Sequence, residues 1–110
     1  MRIYIAGPYR AATPKLVDAN IKQARDAFAE LLRLGHTALC PHSMTARFER
    51  DYPDILDARY LETDLEWLRL CDAILLLPGW EDSSGSRAEL DLAKRMGLLV
   101  FTNAADTEMA

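Results

Sequence analysis

Apolar residues in this chain fall into four short runs, separated by longer stretches in which they return every third or fourth position. Residues 2–6, 37–40, 73–77 and 98–101 are the runs, and Gly7-Pro8, Pro41 and Pro78-Gly79 close the first three. Short apolar runs bounded by Gly and Pro predict strands. The run at 73–77 is unbroken, as expected of a parallel strand covered on both faces. Val17, Ile21, Ala24, Phe28 and Leu31 keep helical spacing, behind a Thr13-Pro14 start and ahead of Gly35. That is an N-cap followed by proline at the first helical position, then a glycine stop. A second helix is predicted from about residue 55 or 57 to 71, with Leu61, Leu65 and Leu68 inward, and a third over 87–96, ended by Gly97. Residues 41–53 keep no period and read as a loop with a helical turn, and residues 102–110 as a loose tail.

The order β-α-β-α-β-α-β implies an α/β fold: a small, doubly wound parallel sheet, flavodoxin- or Rossmann-like, with about four strands in the order 2-1-3-4. Ligands of such sheets bind beyond the carboxyl ends of the strands, where the winding reverses. Here that crevice lies between the loop after strand one, Gly7-Pro8-Tyr9-Arg10, and the loop after strand three, which runs from Pro78 to Gly85. Length and composition narrow the classes. The 110 residues, half of them hydrophobic, suit a single domain over 1–110. Seventeen acids against thirteen bases give a net charge of −4, which argues against a nucleic-acid polymer as partner but not against a small phosphorylated ligand. No run approaches a membrane span, and the apolar start is too short for a signal peptide. Cys40 and Cys71 read as reduced thiols in a cytoplasmic protein.

Two carboxylates fall on helix faces that should be apolar. Asp64 lies between Leu61 and Leu68, and Glu89 shares a face with Leu92, Ala93 and Met96. A carboxylate turned towards a core is costly unless it is paired, hydrogen-bonded or used. Both have structural alternatives. Ser86-Arg87-Ala88-Glu89 fits a capping box, and Asp64 could pair with Arg69, Arg59 or Arg10. The serines at 83–86 could cradle a phosphate at a helix start, or serve only as a cap. Tyr9 and Trp80 could stack on a planar base or simply pack. His42 could be structural or belong to the site, and the acids at 51, 54, 57, 62 and 66 suggest a solvated face more than a metal cluster. No metal site, P-loop or dinucleotide fingerprint is read here.

Three segments in order, IYIAGPYR, TDLEWLRLCDAILLLPGW and SSGSRAELDLAKRMG, resemble the nucleoside 2-deoxyribosyltransferase-like superfamily over nearly the whole chain. That superfamily includes the transferases, 2'-deoxynucleoside 5'-phosphate N-hydrolases and a cytidine-monophosphate N-ribohydrolase, and the PGW…S.G.R.E pattern is shared with its short bacterial and phage members. The resemblance implies that Glu89 is the nucleophile, Asp64 the second catalytic carboxylate, and Tyr4 and Gly7 neighbours of the sugar. It implies a place for His42 near the base, while the two loops at the crevice and the helix start add Pro8, Tyr9, Arg10, Gly79, Trp80, Gly85 and Ser86 as expected substrate contacts. Ser83 stands where the transferases carry an acid and the nucleotide hydrolases a phosphate-binding serine. This favours a nucleotide over a nucleoside, although Asp82 is only one residue away and a loop shift could restore the transferase pattern. Acidic Glu81 and Asp82 also sit beside the expected phosphate position, and Arg10 and Arg87 would have to offset them.

The implied chemistry is cleavage of an N-glycosidic bond in a (deoxy)nucleoside or its 5'-monophosphate through a covalent glycosyl-enzyme on Glu89, by hydrolysis or base exchange. No cofactor is called for. The alternatives are a nucleotide-binding or sensing module without turnover, and a protein whose role is association. A homodimer or higher homo-oligomer is expected, because the superfamily often completes a site from a neighbouring subunit, with a residue after the last strand. This chain carries only residues 102–110 there.

Overall fold

The computed structural model describes residues 1–109. Its elements run β1 (Arg2–Ala6), α1 (Pro14–Arg33), β2 (Thr37–Leu39), α2 (Pro41–Met44), α3 (Phe48–Asp51), α4 (Asp57–Leu68), β3 (Ala73–Leu76), α5 (Ser84–Arg95) and β4 (Leu99–Phe101). All strand pairs are parallel and the order is β2-β1-β3-β4. Tyr4 lies opposite Leu39 on one side and Ile74 on the other, and Ile74 opposite Val100. This is the α/β architecture and strand order that the alternation of apolar runs predicts.

Strand residues alternate between two apolar layers, as the pleat requires. Ile3, Ile5, Ala73 and Leu75 pack with Ala24 and Leu31 of α1. Tyr4, Ala6, Ile74 and Leu76 pack with Leu68 of α4 and Leu90, Leu92 and Ala93 of α5. The sheet is therefore wound on both faces, and every residue of β3 is buried. Helix starts follow the local rules. The Thr13 hydroxyl accepts from the Leu16 amide, with Pro14 next. The turns after α1 and α5 place Gly35 and Gly97 at positive φ, where a side chain would be strained.

Two expectations are corrected. Residues 41–53 hold two short helices, α2 and α3, tied down by tertiary contacts and not by periodicity. The Arg47 guanidinium bonds Asp18 and the Pro14 carbonyl, and the Arg47 amide donates to the Tyr9 hydroxyl. The expected loose tail is instead a 3-10 helix over Ala104–Met109, with Ala104 and Thr107 buried. Ala104 joins the layer under α1, and Thr107 bonds both His36 and the Ala104 carbonyl. No helix among the described residues is long and apolar enough to cross a membrane.

Candidate active site

β1 and β3 are neighbours whose helices leave towards opposite faces, so their carboxyl ends open on a crevice. A cleft of about 690 Å³ lies there, within the size range of small-ligand sites. One wall runs from Asp82, through the Ser83 cap, into the first turn of α5 at Ser84–Ser86, and Glu89 stands one turn further on. The facing wall follows β2 and includes His42, Thr45 and Glu49. α4 contributes Tyr60, Leu61 and Asp64, and the β1 loop contributes Gly7 to Arg10. Gly7 is required by close approach, because a Cβ there would stand 2.8 Å from the Leu77 Cβ. At Gly79 the backbone has φ +92°, which favours glycine.

The two unusual carboxyls both reach this cleft. Glu89 is buried and accepts a hydrogen bond from the hydroxyl of Tyr4, which rises from β1 on the sheet face that α5 covers. Burial pushes its pKa up to about 8, against the opposing effect of the Tyr4 hydrogen bond, and the charge of Asp64 adds to the rise. Asp64 is half-buried, and burial lifts its pKa to about 6. The structural alternatives for this pair are not realised. Ser83 is the N-cap of α5, accepting from the Ser86 amide, so Glu89 does not fold back into a capping box. Arg69, Arg59 and Arg10 pair instead with Glu66, Glu62 and Asp57.

The remaining polar groups divide sharply. Three buried side-chain polar atoms among the described residues have no hydrogen-bond partner: His42 Nδ1, the Tyr60 hydroxyl and Ser86 Oγ. All three residues line the cleft. Such orphans are rare in folded proteins, and their gathering at one place marks it for a polar ligand. His42 Nε2 lies 3.0 Å from the Pro8 carbonyl, which can only accept, so Nε2 donates and Nδ1 keeps its lone pair. Burial lowers the His42 pKa, partly offset by the Pro8 and Gly7 carbonyls, and this favours the neutral ring. Tyr4 is fully buried, and its pKa is raised by burial first and by Glu89 next.

Gly7, Pro8, Tyr9, Arg10, His42, Asp64, Gly79, Ser83, Gly85, Ser86 and Glu89 therefore come together, with Tyr4 beneath them. Trp80 does not line the cleft; its side chain packs on the layer beneath α4 and α5, where a large apolar surface is better buried. The two arginines expected to offset the acids are engaged elsewhere, Arg10 with Asp57 at 2.5 Å and Arg87 with the Glu81 carbonyl at 2.7 Å. Sequence reasoning misses Tyr60 and Glu49. Tyr60 was open to discovery through its four-residue spacing from Asp64, which places both on one helix face. Glu49 sits in a segment without a period and gives no such signal.

The fold is shared with solved structures. A 2-deoxyribosyltransferase from the psychrotolerant bacterium Bacillus psychrosaccharolyticus is 21% identical with a TM-score of 0.65, over 91% of this chain and 69% of that one. A 2-deoxyribosyltransferase from Leishmania mexicana is 22% identical with a TM-score of 0.59, over 90% of this chain and 61% of that one. At these identities the likeness is one of fold. None of the curated proteins matches the chain. The family model described as a domain of unknown function, DUF4406, matches residues 1–102, and the chain belongs to that family.

Proposed function

We propose that the protein cleaves the N-glycosidic bond of a (deoxy)nucleoside or its 5'-monophosphate, with Glu89 as nucleophile and Asp64 as its proton partner. The observation that carries this reading is the meeting of two carboxyls, Asp64 and Glu89, in one cleft, where burial raises both pKa values, to about 6 and about 8. Carboxyls with separated pKa values can divide nucleophile and acid-base roles. The shared fold with 2-deoxyribosyltransferases, one of them described as a biocatalyst for nucleoside synthesis, supports the substrate class.

Near neutral pH the pair holds about one proton, on Glu89. In the proposed first step that proton passes by way of Asp64 to the departing base. The C1'–N bond breaks with its electron pair leaving on the base, and a Glu89 oxygen bonds to C1'. Tyr4, donating to Glu89, orients the attacking carboxylate. In the second step water attacks C1' while Asp64 takes its proton, and Glu89 leaves as carboxylate. A second base in place of water would give transfer. Both routes return the pair to one proton.

Glu89→Ala should abolish release of free base from a panel of nucleosides and their 5'-monophosphates, while circular dichroism stays that of the wild type. Undiminished release would overturn the assignment of nucleophile. The binding-module alternative predicts nucleotide binding with no base released by the wild-type protein.

A further inference from the structure

Tyr9 and His42 both line the cleft, and the loop after β1 holds the histidine. His42 Nε2 donates to the Pro8 carbonyl at 3.0 Å, and the Tyr9 ring lies beside the imidazole with centroids 5.8 Å apart at 55°. Tyr9 is itself fixed at three points. Its hydroxyl donates to Glu49 Oε2 at 2.8 Å and accepts from the Arg47 amide at 2.7 Å. Its carbonyl accepts from the Asn20 side-chain amide at 3.0 Å. These bonds tie the loop to α1 on one side and to the wall after β2 on the other, and they immobilise the carbonyl and the ring that meet His42.

The arrangement leaves one atom open. With Nε2 donating, Nδ1 is a pure acceptor, buried and without a partner among the described residues. A ligand satisfies it only by bringing an N–H or O–H along the lone pair, because a hydrogen bond weakens steeply when misaligned. The orientation of the ring therefore decides whether the bond can form. A phosphate dianion carries no hydrogen to offer, so within a nucleotide this wall suits the base or the sugar.

We infer that Tyr9 is a positioning residue, holding the His42 ring so that Nδ1 accepts a hydrogen bond from the base or sugar of the substrate. The role rests on the proposed nucleoside chemistry, and in it Tyr9 acts through His42 and not as a stacking surface. A double-mutant cycle separates the two roles. His42→Ala should raise KM about three- to tenfold, the worth of one neutral hydrogen bond. Its kcat should stay within about twofold, because His42 takes no part in the proposed bond changes. Tyr9→Leu should have the same effect by freeing the ring, and Tyr9→Phe, which keeps the ring and loses the hydroxyl anchors, a smaller one. With both His42→Ala and Tyr9→Leu, KM should stay within about twofold of His42→Ala alone. NMR reads the ring without ligand. The His42 Nε2–H, assigned by its loss in His42→Ala, should exchange with water at least about tenfold faster in Tyr9→Leu than in the wild type. An unchanged KM in His42→Ala, additive effects in the cycle, or unchanged Nε2–H exchange overturns the role of Tyr9 while leaving glycosidic cleavage standing. If the wild type binds nucleosides without releasing base, the same cycle on calorimetric Kd values decides the role of Tyr9, and cleavage is overturned. Neither binding nor release overturns both.

Discussion

Glu89 is held protonated by its surroundings at a pH where an exposed glutamate is ionised, and this has two measurable consequences. The first concerns rate. With the pair titrating near 6 and near 8, the one-proton form dominates between those values. Below the lower value no charge is available for attack, and above the upper one no proton remains for the leaving base. A bell-shaped dependence of kcat/KM with limbs near pH 6 and 8 is therefore expected; a flat profile across that window would contradict the shared-proton scheme. The second concerns stability. The folded pKa lies above the ordinary value of 4.5, so the folded protein holds more protons than the unfolded chain between 4.5 and 8. The stabilisation is complete below 4.5 and lost as pH rises through 8. Glu89→Gln keeps the acceptor for Tyr4 and removes the titration. At pH 9 it should be more stable than the wild type by about 3–5 kcal/mol, and the advantage should vanish by pH 4. Urea denaturation at the two pH values measures this.

Among the elements, the apolar period makes the strands and long helices legible, because each buries one face against the sheet. The same period exposes Asp64 and Glu89, since a carboxylate on an inward face breaks it. The wall after β2 follows no such rule. α2 and α3 have four residues each, too few to show a helical repeat, and their position depends on Arg47. Arg47 is the one non-glycine at positive φ among the described residues, at 64°. Its side chain, 16% exposed, joins the start of α1 to this segment, and its amide holds Tyr9. Arg47→Ala should cost about 1–3 kcal/mol through the lost charged hydrogen bonds, with the unfavourable φ retained. Arg47→Gly loses the same bonds but relieves the φ and should cost about 1 kcal/mol less than alanine. The reverse order in denaturant titrations would mean that the backbone conformation carries no strain.

At the scale of the molecule, sheet order decides where chemistry can occur: β1 lies between β2 and β3, so the loops after all three meet at one cleft. That convergence is legible from the order of elements alone. What escapes sequence reasoning is the use of surface left over by a small sheet. Trp80 lies beside the cleft in the chain yet packs on a helix layer, and the last segment closes over the face beneath α1. Neither is encoded in a local repeat, because both depend on gaps that exist only once the sheet has formed. The terminal segment provides a direct check. The Thr107 hydroxyl donates to the Ala104 carbonyl at 2.7 Å, so at the 3.0 Å contact with His36 its oxygen accepts from Nε2. Thr107→Val keeps shape and methyl packing but strands a buried carbonyl and the His36 N–H. A loss of about 1–3 kcal/mol is expected, together with faster amide exchange over residues 104–109. Because this face lies away from the cleft, base release by the variant at 25 °C should stay within about twofold of the wild type. Unchanged stability and exchange would show that the segment behaves as a loose tail in solution.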